Sequence, residues 1–221
     1  MRRWTCGILS GLILWLGIGL PVCAQGLLGT YHIDSQFSTL FRNDSAGDID
    51  PAILGFVTNL NAPLVRGENR MFGVDLYGRI SGSYLDGSMG SDQFKVDGYS
   101  YSLGTNLYLN QWEGVRPWIG LGYMLGNVRQ EQTSGGATSV TTDSIDVLRL
   151  SLGAESVLTE RIALRTSFEF LFQDKTFSEF KDPRFLTEFV IRPADHWYFR
   201  LGGSIDFDGN VGVLAGGGYR F

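Results

Sequence analysis

The chain carries few residues able to do covalent chemistry. Its only two histidines are His32 and His196. A hydrolase needs a nucleophile, a base and an orienting acid within reach of one another. No serine motif flanks either histidine, and Asp195-His196 falls in a short polar stretch that reads as a turn. Both cysteines, Cys6 and Cys23, lie in the first 24 residues. If that segment is removed, no disulfide, thiolate metal site or cysteine nucleophile is left. The acids Asp44, Asp48, Asp50, Asp86 and Asp92 fall in polar stretches. Their spacing does not match a calcium loop of the D-x-[DN]-x-[DN]-G kind, so they read as solvated. No catalytic residue, cofactor site or metal site is assigned.

The remaining chemistry-bearing residues are charges set into alternating segments: Asp75, Arg79, Arg149, Glu155, Arg165, Glu169, Glu188, Arg192 and Arg200. The clearest segment runs from Ile162 to Phe172. Ile162, Leu164, Phe168, Phe170 and Phe172 share one face, and Arg165, Ser167 and Glu169 share the other. A period of two makes that separation and a helical period of 3.6 does not. Tyr99, Tyr101, Leu103, Leu107 and Leu109 alternate with Ser100, Ser102, Gly104 and Asn106. Trp197, Phe199, Leu201 and Ile205 alternate with Tyr198, Arg200, Gly202 and Ser204.

Ten strands are expected, at 30–42, 53–62, 71–85, 96–109, 115–130, 143–157, 161–174, 184–192, 196–207 and 210–221. Eight is the alternative if 30–42 is a lead-in and one further strand fails. Long polar connections are expected at Asn43–Pro51, Asp86–Lys95 and Glu131–Thr142, and short ones at 111–114, 158–160 and 193–195. An even strand count returns both termini to one side.

The first residues differ from the rest. Met1-Arg2-Arg3 is cationic, Ile8 to Leu20 is apolar, and Val22-Cys23-Ala24 precedes Gln25. That pattern is a secretory signal peptide over 1–24, followed by one domain over 25–221. Removing Arg2 and Arg3 lowers the 18 basic residues to 16 against 23 acids, a net charge near −7. No stretch is strongly basic, which argues against a nucleic-acid partner. No later stretch approaches the roughly 18 apolar residues of a transmembrane helix.

Alternation alone fits a soluble barrel, with its apolar face inward, as well as a membrane barrel, with its apolar face outward. Three features favour the membrane. The polar face carries small residues such as Gly104, Gly120, Gly122, Gly202, Gly216 and Gly218, which spare room in a narrow tube. Aromatics such as Tyr99, Trp197, Tyr219 and Phe221 stand towards strand ends on the apolar face, as interfacial girdles do. The sequence closes on an apolar strand, with Val211, Val213, Ala215, Gly217, Tyr219 and Phe221 on one face.

That last strand resembles the C-terminal insertion signal of outer-membrane β-barrels, with alternating apolar positions and a final aromatic. Pro117-Trp118-Ile119-Gly120-Leu121-Gly122-Tyr123 also resembles a strand phrase of small outer-membrane barrels of the opacity-protein type. The resemblance implies a closed antiparallel transmembrane β-barrel in the cell outer membrane. It implies contact with outer-membrane lipid and lipopolysaccharide, and passage through periplasmic chaperones. It also implies that barrel-assembly machinery reads Val213, Ala215, Gly217, Tyr219 and Phe221.

With lipid on the apolar side, the nine charges above line the lumen. They are expected to be a paired network that fills it, because unpaired buried charge is costly. The alternative is a charged constriction selecting ions. Three functions follow in descending order: a non-enzymatic barrel with a structural or surface-contact role, a narrow pore, and a lipid A-modifying or proteolytic barrel.

Overall fold

The computed structural model describes residues 26–43, 49–66, 71–89, 92–110, 114–173 and 180–221. The proposed signal segment, both cysteines, Asp44 and Asp48 lie outside them. Ten strands follow in order: β1 (His32–Asn43), β2 (Ile49–Val65), β3 (Phe72–Met89), β4 (Asp92–Leu109), β5 (Val115–Ser134), β6 (Ala137–Thr159), β7 (Ile162–Gln173), β8 (Phe180–Ile191), β9 (Trp197–Asp206) and β10 (Val211–Arg220). Each pairs antiparallel with its sequence neighbour, and β1 pairs with β10 to close the barrel.

The register fixes the slant of the strands. Glu155 on β6 leads through partners Arg165, Glu188, Gly202, Leu214, Ser38, Gly55, Ser83, Gly98 and Val128. The next partner is Asp143, back on β6 and twelve residues from the start. A stagger of that size in a ten-stranded barrel corresponds to a tilt of about 40°.

All ten expected strands are present, and the differences lie in the hairpins. Asp86–Lys95 and Glu131–Thr142, expected as loops, are largely strand. β3 and β4 stay paired out to Met89 and Asp92. β5 and β6 stay paired out to Ser134 and Ala137, with Gly135 and Gly136 turning the chain at φ +57° and +85°. Their polar residues mark water on both faces rather than an end to pairing. Cross-strand hydroxyl pairs such as Thr133 with Thr138, at 3.0 Å, suit a solvated ribbon. β6 has 23 residues, a run of roughly 75 Å at about 3.3 Å each. An apolar band about 25 Å tall covers only part of that, even with the tilt.

The exterior is apolar and the interior polar. On β4, Leu103 is 69% exposed while its neighbour Ser102 is 7% exposed. Phe37, Phe56, Leu60, Ile80, Leu121, Phe168, Phe199 and Val213 are exposed around the circumference, whereas Asp34, Asp75, Ser151 and Glu155 are buried. This inverts a soluble barrel and fits a hydrocarbon solvent. His196, Trp197 and Phe221 pack around the Tyr219 ring at the end where Phe221 lies, with ring centroids 5.1 to 5.5 Å from it, His196 stacked and the other two edge-on. They form one stretch of an interfacial girdle. Phe172 departs from its expected row. It is buried while Phe168 is exposed, and the β7–β8 register shifts between Glu169 and Leu171 just before it.

The inward glycines have a steric reason. Tyr77 points into the lumen, and a Cβ on Gly104 or Gly122 would strike its ring or hydroxyl. Trp118 is seated in the same way against Gly120 and Gly153. Gly122→Val is expected to destabilise the barrel by about 1–3 kcal/mol through overpacking. Urea unfolding midpoints in lipid vesicles measure it, and adding Tyr77→Ala should recover much of the loss.

Candidate functional site

The candidate site is the lumen. At its centre Arg200, on β9, bridges two carboxylates. Its Nη1 donates to both oxygens of Asp34 at 3.0 Å. Its Nε and Nη2 donate to Glu188 at 2.5 to 2.9 Å. Asp34 also accepts from Gln36 at 2.9 Å, Asn59 at 2.7 Å and the Tyr198 hydroxyl at 3.0 Å. Arg165 continues the chain, 3.7 Å from Glu188 and 3.5 Å from Glu155. Arg149 pairs with Glu169 at 3.6 Å and lies over the Tyr77 ring, 5.0 Å from its centroid. Multiply bonded carboxylates and guanidinia of this kind offset the cost of removing charge from water.

Residues 26–30 enter this network as backbone. The Leu27 N–H donates to Glu155 at 2.9 Å, and the Leu28 N–H to the other Glu155 oxygen at 3.4 Å. The Gly29 N–H donates to Asp75 at 2.9 Å, and Arg116 donates to the Leu28 carbonyl at 3.1 Å. Leu27 is 1% exposed and clusters with Ala163, Val190 and Tyr198. A Cβ at Gly26 would overlap the Glu155 carboxylate. The segment therefore occupies the bore at the terminal end of the barrel.

The structure places Asp75, Arg149, Glu155, Arg165, Glu169, Glu188 and Arg200 together in the lumen. Arg79 is there too, bonded through Nε to Asn59 at 2.8 Å. Arg192 stands apart from the other eight. β8 ends at Ile191, and Arg192 donates to the Glu160 carbonyl at 2.7 Å, at a rim shared with Arg161, Asp195 and Arg220. Pro193 next to it has no N–H to continue the ladder. On β10, Val213, Ala215, Gly217 and Tyr219 lie on the outer face, and Phe221 donates its N–H to the Tyr31 carbonyl at 3.0 Å.

Asp34, Gln36, Asn59, Asn61, Arg116, Arg184 and Tyr198 also face the lumen and are not among the charges expected there. Asp34 and Gln36 alternate with Ile33 and Phe37, so the same period-two signal marks them. The segment 26–30 carries no such signal, because its anchors are peptide N–H groups.

His32 sits inside the barrel beside this network. Its Nδ1 is 3.1 Å from the Thr30 hydroxyl and its Nε2 is 3.8 Å from Asp34. The row resembles a nucleophile, base and acid in outline. The Thr30 hydroxyl donates to the Leu27 carbonyl at 2.7 Å, however, and His32 packs edge-on against Tyr198. Asp86 is held by the Tyr84 hydroxyl at 2.9 Å. Among the described residues no group of three His, Cys, Asp or Glu converges on a metal site.

A closed antiparallel sheet with an apolar exterior and a charged, bonded lumen defines a transmembrane β-barrel. No family model matches the chain, and no curated protein matches it. Among solved structures it is similar to Ail, the attachment invasion locus protein of Yersinia pestis. The identity is 16% and the TM-score 0.44, covering 87% of this chain and 99% of that one. It is similar to the translocator domain of autotransporter NalP from Neisseria meningitidis at 13% identity and TM-score 0.49, covering 97% and 96%. It is also similar to Neisserial surface protein A at 15% identity and TM-score 0.38, covering 86% and 97%.

Arg200→Leu leaves Asp34 and Glu188 buried without their main partner. A loss of about 3–5 kcal/mol in unfolding free energy is expected. Arg129→Ala, which breaks the exposed pair of Arg129 with Glu131 at 3.5 Å, should cost under about 1 kcal/mol. Denaturant titration of the two variants side by side measures the contrast.

Proposed function

We propose that the chain is a non-enzymatic outer-membrane barrel that is closed to solutes and presents its long hairpins at the cell surface. One observation carries the reading: the bore is crossed by the chain Asp34–Arg200–Glu188–Arg165–Glu155 and by residues 26–30 bonded to Glu155. A path for ions would have to displace a buried ion-pair network together with Leu27. The β3–β4 and β5–β6 hairpins outrun the apolar band, which supports a contact role beyond the membrane. Both termini and the short turns then face the periplasm. Val213, Ala215, Gly217, Tyr219 and Phe221 serve the assembly machinery, and outer-membrane lipid and lipopolysaccharide surround the barrel.

Purified barrel in a planar lipid bilayer is expected to show no steady single-channel steps. Glu155→Ala combined with Asp75→Ala releases the N–H groups of residues 27–29 and should produce them. Steps of uniform size from the unaltered protein would establish the narrow-pore reading instead. Phe221→Ser is expected to reduce assembled barrel in cells several-fold while leaving refolding into detergent intact. Equal amounts in cells would remove the residue from the assembly signal.

A further inference from the structure

The lumen charges are not evenly shared along the axis. Towards the termini, Asp34, Asp75, Glu155 and Glu188 face Arg116, Arg165 and Arg200, and residues 26–30 fill the space between them. Towards the long hairpins the balance reverses. Arg79, Arg149 and Arg184, with Arg165 behind them, lie within the electrostatic reach of Glu169. Glu169 is committed to Arg149 at 3.6 Å. Arg79 and Arg184 have no carboxylate among the described residues within 4 Å. Arg79 spends only its Nε on Asn59, at 2.8 Å. Asp206, opposite Arg184 in the β8–β9 register, gives its oxygens to the Asn210 N–H and side-chain amide at 2.9 and 2.8 Å.

These two cations border a cavity of about 320 Å³ in this half of the lumen. Arg79, Arg184 and Glu169 belong to its lining, and Ser38, Ser81, Ser100 and Ser204 supply hydroxyls along its wall. Among the described residues, Ser81 and Ser100 bond to each other at 2.6 Å. A volume near the bottom of the usual 300–1,000 Å³ range suits a ligand the size of one sugar ring. Guanidinia with free Nη donors match the oxygens of a carboxylate or phosphate, and the serines match hydroxyls. Arg79 and Arg184 are half-buried in a narrow lumen, where an excess of one sign of charge favours an ion of the opposite sign.

We propose that this compartment binds a small hydroxylated oxyanion, a carboxylate or phosphate borne on a sugar-sized skeleton, between Arg79 and Arg184. The site opens towards the long hairpins and is separated from the terminal end by the ion-pair network. Access from the cell exterior rests on the orientation given under Proposed function, whereas binding itself does not.

Isothermal titration of the refolded barrel in detergent tests it, with gluconate, glucose 6-phosphate and neutral glucose as probes. At least one of the two anions should bind saturably, and glucose should not. Arg79→Gln and Arg184→Gln should each weaken the anion at least tenfold, and Arg220→Gln, at the opposite rim, should leave it unchanged. Should either the Arg79 or the Arg184 variant fail to refold, competition by inorganic phosphate on the unaltered protein replaces it, with displacement of the anion expected. Saturable binding of neither anion, equal binding of glucose, indifference to both the Arg79 and the Arg184 substitution, or no displacement by phosphate overturns the proposal. Steady conductance in bilayers would overturn the closed-barrel reading and leave this result standing.

Discussion

Hydrocarbon offers the backbone no hydrogen-bond partner, and the architecture follows from that constraint. Every strand must find both neighbours, so β1 and β10 join and no edge remains. Closure with ten strands and this stagger makes a tube too narrow for a broad channel and too wide to be filled by small residues alone. The interior therefore needs large side chains. Exterior and interior alternate residue by residue, so those side chains share strands with the lipid-facing row. Arg200 lies between Phe199 and Leu201, and Glu188 lies beside Phe189.

Filling the bore with charge sets a second requirement. A guanidinium taken from water must be bonded on several sides, and Arg200 meets this with five contacts to two carboxylates. The carboxylates come from β1 and β8, so the same contacts tie together strands on both sides of β9 and β10. Tyr77 and Trp118 use the remaining width. Their rings need glycines opposite, at Gly104 and Gly122 for Tyr77 and at Gly120 and Gly153 for Trp118.

The strand order and both faces were legible in the sequence because period two is a local signal. Ile162 to Glu169 shows inward and outward sets without knowledge of any partner strand, and Phe172 departs from them only beyond the register shift that follows Glu169. Hairpin length was less legible. Water outside the membrane removes the apolar half of the alternation, so Thr138 to Thr142 read as loop although the ladder continues through them. Arg192 was misplaced for a related reason, since parity counts on past the residue where Pro193 stops the pairing. The least legible part was residues 26–30. Their hold on Glu155 and Asp75 runs through peptide groups, and nothing in Gly26-Leu27-Leu28-Gly29 announces a partner 128 residues away.

That segment has a mechanical consequence. It leads directly into β1, and Glu155 is on β6, five strands away in either direction round the ten-stranded ring. Residues 26–30 thus span a diameter, as a spoke does in a wheel. A thin-walled tube under lateral pressure from lipid deforms most readily by flattening into an oval, and a spoke fixed at both ends resists that along its own direction. The barrel is stiffened by a piece of chain that belongs to none of its strands.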